Sequence, residues 1–323
     1  MADPRPTPWR RIPARPAPPA RPAAGPLVAL SICALAWGGS FVAAKIALFE
    51  IDPIGLAALR FFVACLVFVP VIIGYHLRGE RLTLAELPSF LVLGLLGVTT
   101  YFWLQFAGIR HTTATNVALL ITLTPVWTSL LGRFFLGEEL GPRRVTGIAL
   151  AFAGAIVVAT RGRFSLAAGR EDLIGALYIL SNTLAWSVFT TLGRSVLQRR
   201  PALFVTAWVG ALGTLMMLPA LVYVGEFRGG VHLDAKTWAA VIYLGVICSA
   251  LGYFLWYYAL KYVRASLAAG FLYLQPLVTI ALSRVLLGET LTAATVAGGA
   301  AIIAGVYRIS AAPGRARRGK QSA

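Results

Sequence analysis

The chain has 323 residues, of which 58% are hydrophobic and 13% are charged, and its formal net charge is +17. Soluble domains carry roughly twice that share of charged residues, so the composition argues against a water-soluble enzyme of this length. The basic residues lie at both termini and in short loops between long apolar runs, which is how membrane proteins fix their orientation, and this placement disfavours nucleic-acid binding.

The chain divides into two terminal tails and an apolar middle. Residues 1–26 are rich in Pro, Ala and Arg without apolar periodicity, which predicts a disordered basic tail and not a cleavable signal peptide. Residues 311–323 form a second basic tail. Between them lie ten apolar runs, each near the roughly 20 residues that a helix needs to cross a bilayer. Their continuity predicts helices and not a β-barrel. We number them segments one to ten: Leu27–Phe49, Pro53–Tyr75, Leu87–Ile109, Thr113–Leu136, Arg143–Thr160, Leu173–Leu197, Ala202–Val224, Trp238–Tyr262, Ala265–Leu287 and Leu291–Ile309.

The distribution of Lys and Arg over the loops predicts the orientation of these segments. With the N-terminus in the cytoplasm, both tails and most of the basic loops lie on the cytoplasmic side. The loop Arg161–Arg170 is the exception. The sequence therefore predicts a multi-pass protein of the inner membrane with both termini in the cytoplasm.

The second half of the chain repeats the first. Pro276 aligns with Pro125 at a shift of 276 − 125 = 151, and this shift holds without a gap for about fifty positions. Residues 27–161 and 172–310 then form two copies of five segments each. Because five is odd, the copies are predicted to be inverted in the membrane, as in many secondary transporters. A duplicated bundle without a transport role is the alternative.

Several short motifs carry a family resemblance. They are Trp37–Phe41 with Lys45, Leu59–Phe61, Ala265–Pro276, the Leu-Gly-Glu sequences Leu136–Glu138 and Leu287–Glu289, and the glycines of segments five and ten. In this order and in duplicate, they make the chain resemble the ten-helix EamA branch of the drug/metabolite transporter superfamily, over nearly all of residues 27–309. The resemblance implies an all-α integral membrane protein of ten transmembrane helices in two inverted five-helix repeats. It also implies a solute site in a central cavity lined by the helices other than five and ten. Export is implied over import, with amino acids as the leading class.

Matched prolines mark a candidate site. Pro125 and Pro276 lie halfway along segments four and nine. Proline removes a helix hydrogen bond, and matched breaks in two inverted halves point to a transporter site. We expect both to act as hinges, with a simple packing kink as the alternative.

Polar and aromatic residues are expected to converge around these prolines. A site lined by such residues suits a small solute with a ring or a hydrophobic side chain. The alternative is that these residues form the interfacial aromatic belt or join helices to one another. The candidate substrate-binding residues are Trp37, Tyr101, Gln105, Thr115, Asn116, Thr122, Asn182, Trp186, Tyr253, Trp256, Tyr273 and Gln275.

Charges inside the segments are few. Lys45 and Arg60 could meet a solute carboxylate or extend towards the membrane surface. No Asp or Glu lies near the middle of a segment, and Glu138 and Glu289 at segment ends are expected to cap a helix or pair with Arg133 or Arg284. This pattern disfavours proton exchange through a buried acid, and with it multidrug or quaternary-ammonium efflux. It favours gradient-driven export of a neutral or zwitterionic solute.

Other features limit the chemistry. No nucleotide-binding loop, zinc pattern or nucleophile motif is present, so no catalytic residue, cofactor or metal is predicted. The expected partners are a small-molecule solute and the lipid bilayer. Small residues in segments five and ten predict that these two helices pack together, which favours a monomer over a dimer. A lipid scramblase is the remaining alternative from another class.

Overall fold

The structure is a computed structural model that describes residues 24–136, 140–162, 170–224, 232–263 and 271–310. Within these ranges the chain is helical and contains no strand. Nine of the described helices are long and apolar enough to cross a membrane, and Leu274–Leu286 is a shorter apolar helix. The prediction of an all-α integral membrane protein is confirmed. Most of both tails, and the start of segment nine at Ala265, lie outside the described residues.

We label the ten helices α1 to α10, in the order of the ten segments. Two of them contain a π-helical stretch, in α3 at Leu95–Thr100 and in α8 at Tyr243–Leu251, and α4 contains a short 3₁₀ turn at Ile121–Leu123. The bounds are α1 Ala24–Ala47, α2 Pro53–Leu77, α3 Leu87–Gly94 continuing to Tyr101–His111, α4 Ala114–Leu120 continuing to Thr124–Leu136, α5 Pro142–Thr160, α6 Arg170–Leu197, α7 Ala202–Val224, α8 Ala235–Ile242 continuing to Gly252–Tyr262, α9 Leu274–Leu286 and α10 Ala293–Ser310.

Local capping explains where the observed boundaries differ from the predicted ones. Segment eight was predicted to begin at Trp238, yet α8 begins three residues earlier, because Asp234 Oδ1 accepts a hydrogen bond from the Thr237 backbone N–H at 2.6 Å. Helix α6 likewise begins before the predicted Leu173, with Glu171 and Asp172 in its first turn, where acidic groups favour a helix N-terminus. Polar residues can therefore extend a helix beyond its apolar run.

The contacts between the two halves come in symmetric sets. Helix α1 packs on α8 and α9, and its repeat counterpart α6 packs on α3 and α4. Helix α2 packs on its own counterpart α7, and α5 packs on α10. Exchanging the halves leaves this set unchanged, which is what a twofold pseudo-symmetry requires. With five helices in each half, the two repeats are inverted.

Helices α5 and α10 touch backbone to backbone. A Cβ atom added at Gly154 would lie 2.5 Å from the carbonyl oxygen of Gly298, and one added at Gly305 would lie 2.6 Å from the carbonyl oxygen of Gly147. Such an approach is possible only where small residues face each other. The predicted pairing of segments five and ten is therefore confirmed.

Departures from α-helix geometry occur at matched positions. The 3₁₀ turn Ile121–Leu123 precedes Pro125, and a turn at Tyr273 precedes Pro276, where 122 + 151 = 273. Pro125 cannot donate to the carbonyl of Ile121, which instead accepts from the backbone N–H and the hydroxyl of Thr124, the latter at 2.9 Å. The π-helical stretch of α3 maps onto that of α8 at the same shift. Irregular backbone at membrane depth is tolerated where protein buries it or where it lines a cavity. The helices α3, α4, α8 and α9 are therefore where a solute site is expected.

Candidate functional site

A buried cation lies where the irregular stretches meet. Arg60, two turns into α2, is only 3% exposed. Its Nε donates to Ser249 Oγ in the π-helical stretch of α8 at 2.7 Å, and its Cζ lies 4.2 Å from the ring centroid of Phe102 on α3. None of the ion pairs among the described residues involves Arg60. A guanidinium held in the membrane by a hydroxyl and a ring face is a functional candidate, because its burial is costly.

One aromatic cluster belongs to α1 and α8. The ring centroid of Trp37 lies 5.8 Å from that of Tyr253 and 5.3 Å from that of Trp256. Trp37 Nε1 donates to the carbonyl oxygen of Cys248 at 2.9 Å, beside the Ser249 that holds Arg60. The structure therefore brings these three predicted residues together.

A second cluster belongs to α3 and α6. The Tyr101 ring packs against Trp186 with centroids 4.9 Å apart, and Gln105 Nε2 donates to the Tyr101 hydroxyl at 3.3 Å, since residues four apart share a helical face. Asn182 Nδ2 donates to the Tyr101 carbonyl oxygen at 2.6 Å. Because the Tyr101 and Phe102 rings lie 4.7 Å apart, this cluster adjoins Arg60.

A small cavity of about 20 Å³ is lined by Phe61, the residue after Arg60, and by Tyr253, while Arg60 itself is not among its lining residues. Phe61 also lies 5.8 Å from the Arg60 Cζ, measured to its ring centroid. Val209, which also lines the cavity, is the repeat counterpart of Arg60, since 60 + 149 = 209. This volume is close to that of one water molecule, so a metabolite can enter only when the helices move apart. The lining is thus mostly apolar, and the position symmetry-related to Arg60 carries a valine there.

Thr115 and Asn116 make their polar contacts away from both aromatic clusters. They line a separate polar cavity of about 90 Å³ at the end of the bundle where α4 begins, which we call the far end. Thr115 Oγ1 lies 2.9 Å from Ser283 Oγ and donates to Glu289 Oε2 at 2.8 Å. Glu289 also accepts from the backbone N–H groups of Ala114 and Thr115 at 2.8 and 3.1 Å. Glu289 is therefore a helix cap, as expected, but it caps a helix of the other half.

Lys45 joins α1 to the end of α3. Its Nζ donates to the carbonyl oxygens of Ile109, Arg110 and Thr112 at 2.6, 3.3 and 2.7 Å. An ammonium has three protons to donate, and all three are used at a helix C-terminus, where a cation is favourable. This geometry gives Lys45 a structural role at the far end.

The remaining candidates face their own or neighbouring helices. Thr122 Oγ1 donates to the carbonyl oxygen of Leu119 at 2.6 Å, and the Tyr273 hydroxyl lies 3.5 Å from Ser310 Oγ on α10. Gln275 is buried where α9 approaches α1. The α1–α8 and α3–α6 clusters therefore group seven of the candidates, and their convergence around Pro125 and Pro276 stays a prediction.

The opposite end of the bundle carries a two-bond ion pair. Arg200 Nε and one terminal nitrogen donate to the two carboxylate oxygens of Glu86, each at 2.7 Å. These hydrogen bonds from Arg200 are the main cause that lowers the pKa of Glu86 to about 2. The pair joins the start of α3 to the loop between α6 and α7.

Sequence reasoning missed several residues of the site. Ser249, Phe102 and Val209 were not among the candidate residues. Phe61 was not a candidate either, although it belongs to the Leu59–Phe61 motif. The signal that could have found Val209 is the repeat itself, since the 149-residue shift places it opposite Arg60. Ser249 and Phe102 had no such signal.

Two inverted five-helix repeats, with a buried Arg60 that has no ion pair among the described residues, are typical of a multi-pass membrane transporter. A model of the EamA-like transporter family matches residues 25–160 and 173–311. The chain therefore belongs to the EamA-like transporter family, and it is not an enzyme.

Relatives of known name agree with this assignment. The chain is 33% identical to an Archaeoglobus fulgidus protein named "Uncharacterized transporter", over 87% of this chain and 96% of that relative. It is 30% identical to the "Probable terminal-alkyne amino-acid exporter" of Streptantibioticus cattleyicolor, over 87% and 92%. It is 29% identical to the "Probable amino-acid metabolite efflux pump" of Salmonella typhimurium, over 84% and 90%. The chain has the same fold as a protein of known crystal structure, with a TM-score of 0.62 and 22% sequence identity. The match covers 89% of this chain and 96% of that protein's chain.

Proposed function

We propose that this protein exports amino acids, with a preference for hydrophobic and aromatic side chains, by alternating access through the region around Arg60. In this proposal the protein lies in the inner membrane with both termini in the cytoplasm. The repeats 27–161 and 172–310 move relative to each other during transport. The protein acts as a monomer, since the small-residue faces of α5 and α10 are used within one chain.

The observation that carries the proposal is the burial of Arg60 without an acidic partner among the described residues. A solute carboxylate would supply the missing charge, and guanidinium groups bind carboxylates through two parallel hydrogen bonds. The same cation would repel a quaternary ammonium ion, which argues against cationic drugs as substrates. Two of the relatives are named as amino-acid exporter and amino-acid metabolite efflux pump, which supports the same class.

The apolar lining of the cavity supports the preference for hydrophobic side chains. This lining includes Phe61, Phe68 and Phe189, and the Phe61 ring centroid lies 5.8 Å from the Arg60 Cζ. An amino acid that places its carboxylate on Arg60 can extend its side chain into this lining. Each transferred apolar Å² contributes roughly 25 cal/mol, so longer apolar side chains should bind more tightly.

Closure at the far end supports alternating access. Glu289 of the second half caps α4 of the first half, and Asp172 of the second half accepts from Thr112 of the first at 2.6 Å. These contacts join the halves on one side of Arg60. Opening on that side requires that they break.

The experiment is counterflow in proteoliposomes with a panel of labelled amino acids. We expect accumulation of L-phenylalanine or L-leucine above that of lysine or glutamate. Arg60→Gln should abolish it, because no other described cation reaches the site. Arg78→Gln removes a charge from the exposed end of the same helix and serves as the matched control, with wild-type counterflow expected.

Two outcomes would contradict the proposal. If no amino acid exchanges across these membranes, the substrate class is wrong. If Arg60→Gln transports as well as Arg78→Gln does, the buried guanidinium is not the carboxylate site.

A further inference from the structure

Asn182 has a buried oxygen without a hydrogen-bond donor. The residue is completely buried, with 0% of its surface exposed. Its Nδ2 donates to the Tyr101 carbonyl oxygen at 2.6 Å, while its Oδ1 has no partner among the described residues. Such groups are rare in folded proteins, and each costs free energy, so an unpartnered amide oxygen calls for an explanation.

The orientation of the amide is fixed by its neighbour. Exchanging the nitrogen and the oxygen of Asn182 would place two oxygen atoms 2.6 Å apart, since the partner is a carbonyl oxygen. Only a donor can occupy that position. The unpartnered atom is therefore an acceptor, which suits an ammonium or amino group.

The position of Asn182 relates it to Arg60. Asn182 contacts the backbone of Tyr101, and Arg60 lies over the ring of the next residue, Phe102. Arg60 comes from the first half of the chain and Asn182 from the second. The cation of α2 and the unused acceptor of α6 therefore contact consecutive residues of α3.

The repeat shows that this acceptor is a specific addition. At the shift of 149, Asn182 corresponds to Cys33, whose Sγ contacts the carbonyl oxygen of Gly252 at 3.2 Å. Tyr101 corresponds to Gly252 at the shift of 151. A side chain thus contacts the equivalent backbone carbonyl oxygen in both halves. Only Asn182 has, in addition, a side-chain oxygen that can accept a hydrogen bond.

We infer that Asn182 Oδ1 binds the ammonium group of the solute while Arg60 binds its carboxylate, so that the site selects α-amino acid zwitterions over simple carboxylates. An α-amino acid carries both groups on one carbon and can bridge the two residues when the halves close on it. This inference rests on the proposed function, and it adds a residue that determines specificity.

The test compares three probes that each contain a phenyl ring. It uses the full-length protein reconstituted in proteoliposomes. They are L-phenylalanine, 3-phenylpropionate, which lacks the ammonium group, and phenethylamine, which lacks the carboxylate. Each competes against labelled L-phenylalanine in counterflow. For the unmodified protein we expect 3-phenylpropionate to compete at least about tenfold more weakly than L-phenylalanine, since a charge-assisted hydrogen bond is lost. Phenethylamine should not compete.

The variant Asn182→Cys copies the residue at the symmetry-related position. It keeps a weak donor towards the Tyr101 carbonyl and removes the acceptor. We expect roughly a ten- to hundredfold loss of L-phenylalanine binding, and 3-phenylpropionate binding within about twofold of wild type. Arg60→Gln should lose both probes.

The outcomes separate the two proposals. Equal competition by L-phenylalanine and 3-phenylpropionate in the unmodified protein overturns the role of Asn182, whether or not the variant folds. A parallel loss of both probes in a folded Asn182→Cys variant also overturns it. Absence of L-phenylalanine transport in the unmodified protein instead refutes the proposed function, and the inference with it.

Discussion

Glu289 offers the sharpest test of the proposed opening at the far end. Its carboxylate accepts three hydrogen bonds across the interface of the two halves, from the backbone N–H groups of Ala114 and Thr115 and from the Thr115 hydroxyl, at 2.8, 3.1 and 2.8 Å. All three exist only while the far end is closed. Removing them should therefore favour the open state.

The size of the effect follows from these contacts. Hydrogen bonds to a charged group contribute about 1.5–3 kcal/mol each and are not additive in one cluster, so we take about 2–3 kcal/mol for the set. At 1.4 kcal/mol for each tenfold change, Glu289→Ala should raise the ratio of open to closed protein by roughly 30- to 140-fold. Glu289→Gln keeps one acceptor oxygen, but its amide nitrogen cannot accept a hydrogen bond in place of the other oxygen, so its effect should lie between those of the wild type and Glu289→Ala.

A thiol-accessibility assay measures this population. Asn116 is 2% exposed and lines the far-end cavity, so a cysteine there should react slowly while that end is closed. Asn116→Cys is introduced after Cys33, Cys65 and Cys248 are changed to Ala. The rate of modification by a membrane-impermeant reagent is then compared with and without the Glu289 substitutions.

The matched control is Glu171→Gln, which removes a carboxylate at the same end of the bundle. Glu171 pairs with His111 at 2.6 Å, and its side chain is 70% exposed. Exposed pairs contribute about 0–1 kcal/mol, so the rate should change by less than about fivefold. If Glu289→Ala accelerates labelling no more than Glu171→Gln does, the assignment of Glu289 to far-end closure is wrong.

Two further predictions concern stability, measured by thermal unfolding in detergent. The pKa of Glu86 is lowered by Arg200 to about 2, so the stabilisation by this pair is present above the ordinary value near 4.3 and is lost as the pH falls towards 2. Glu86→Gln should flatten that acid dependence, and an unchanged slope would contradict the pairing. Gly154→Ala should cost about 1–3 kcal/mol, because its Cβ would lie 2.5 Å from the Gly298 carbonyl oxygen, whereas Gly74→Ala, with nothing within 4 Å, should be neutral or stabilising by up to about 1 kcal/mol. Equal effects of the two alanines would argue against the close contact of α5 and α10.

The sequence by itself determined the architecture. The length of each apolar run gave the helices, because a helix in lipid must hide its backbone over a fixed thickness. The repeat at Pro125 and Pro276 gave the inverted halves and the matched breaks, since proline acts on its own helix. The contact between Tyr101 and Gln105 was also predictable, because a spacing of four fixes a common helical face.

Only the tertiary structure decided how the candidate residues divide. Spacing along a helix fixes the face of a residue, but not its depth relative to other helices or the partner it meets there. Thr115 therefore proved to lie under Glu289 at the far end, while Asn182 proved to lie beside Tyr101. The Ser249 hydroxyl that holds Arg60 is 189 positions away in the chain, and a contact across that separation exists only once α2 and α8 have packed.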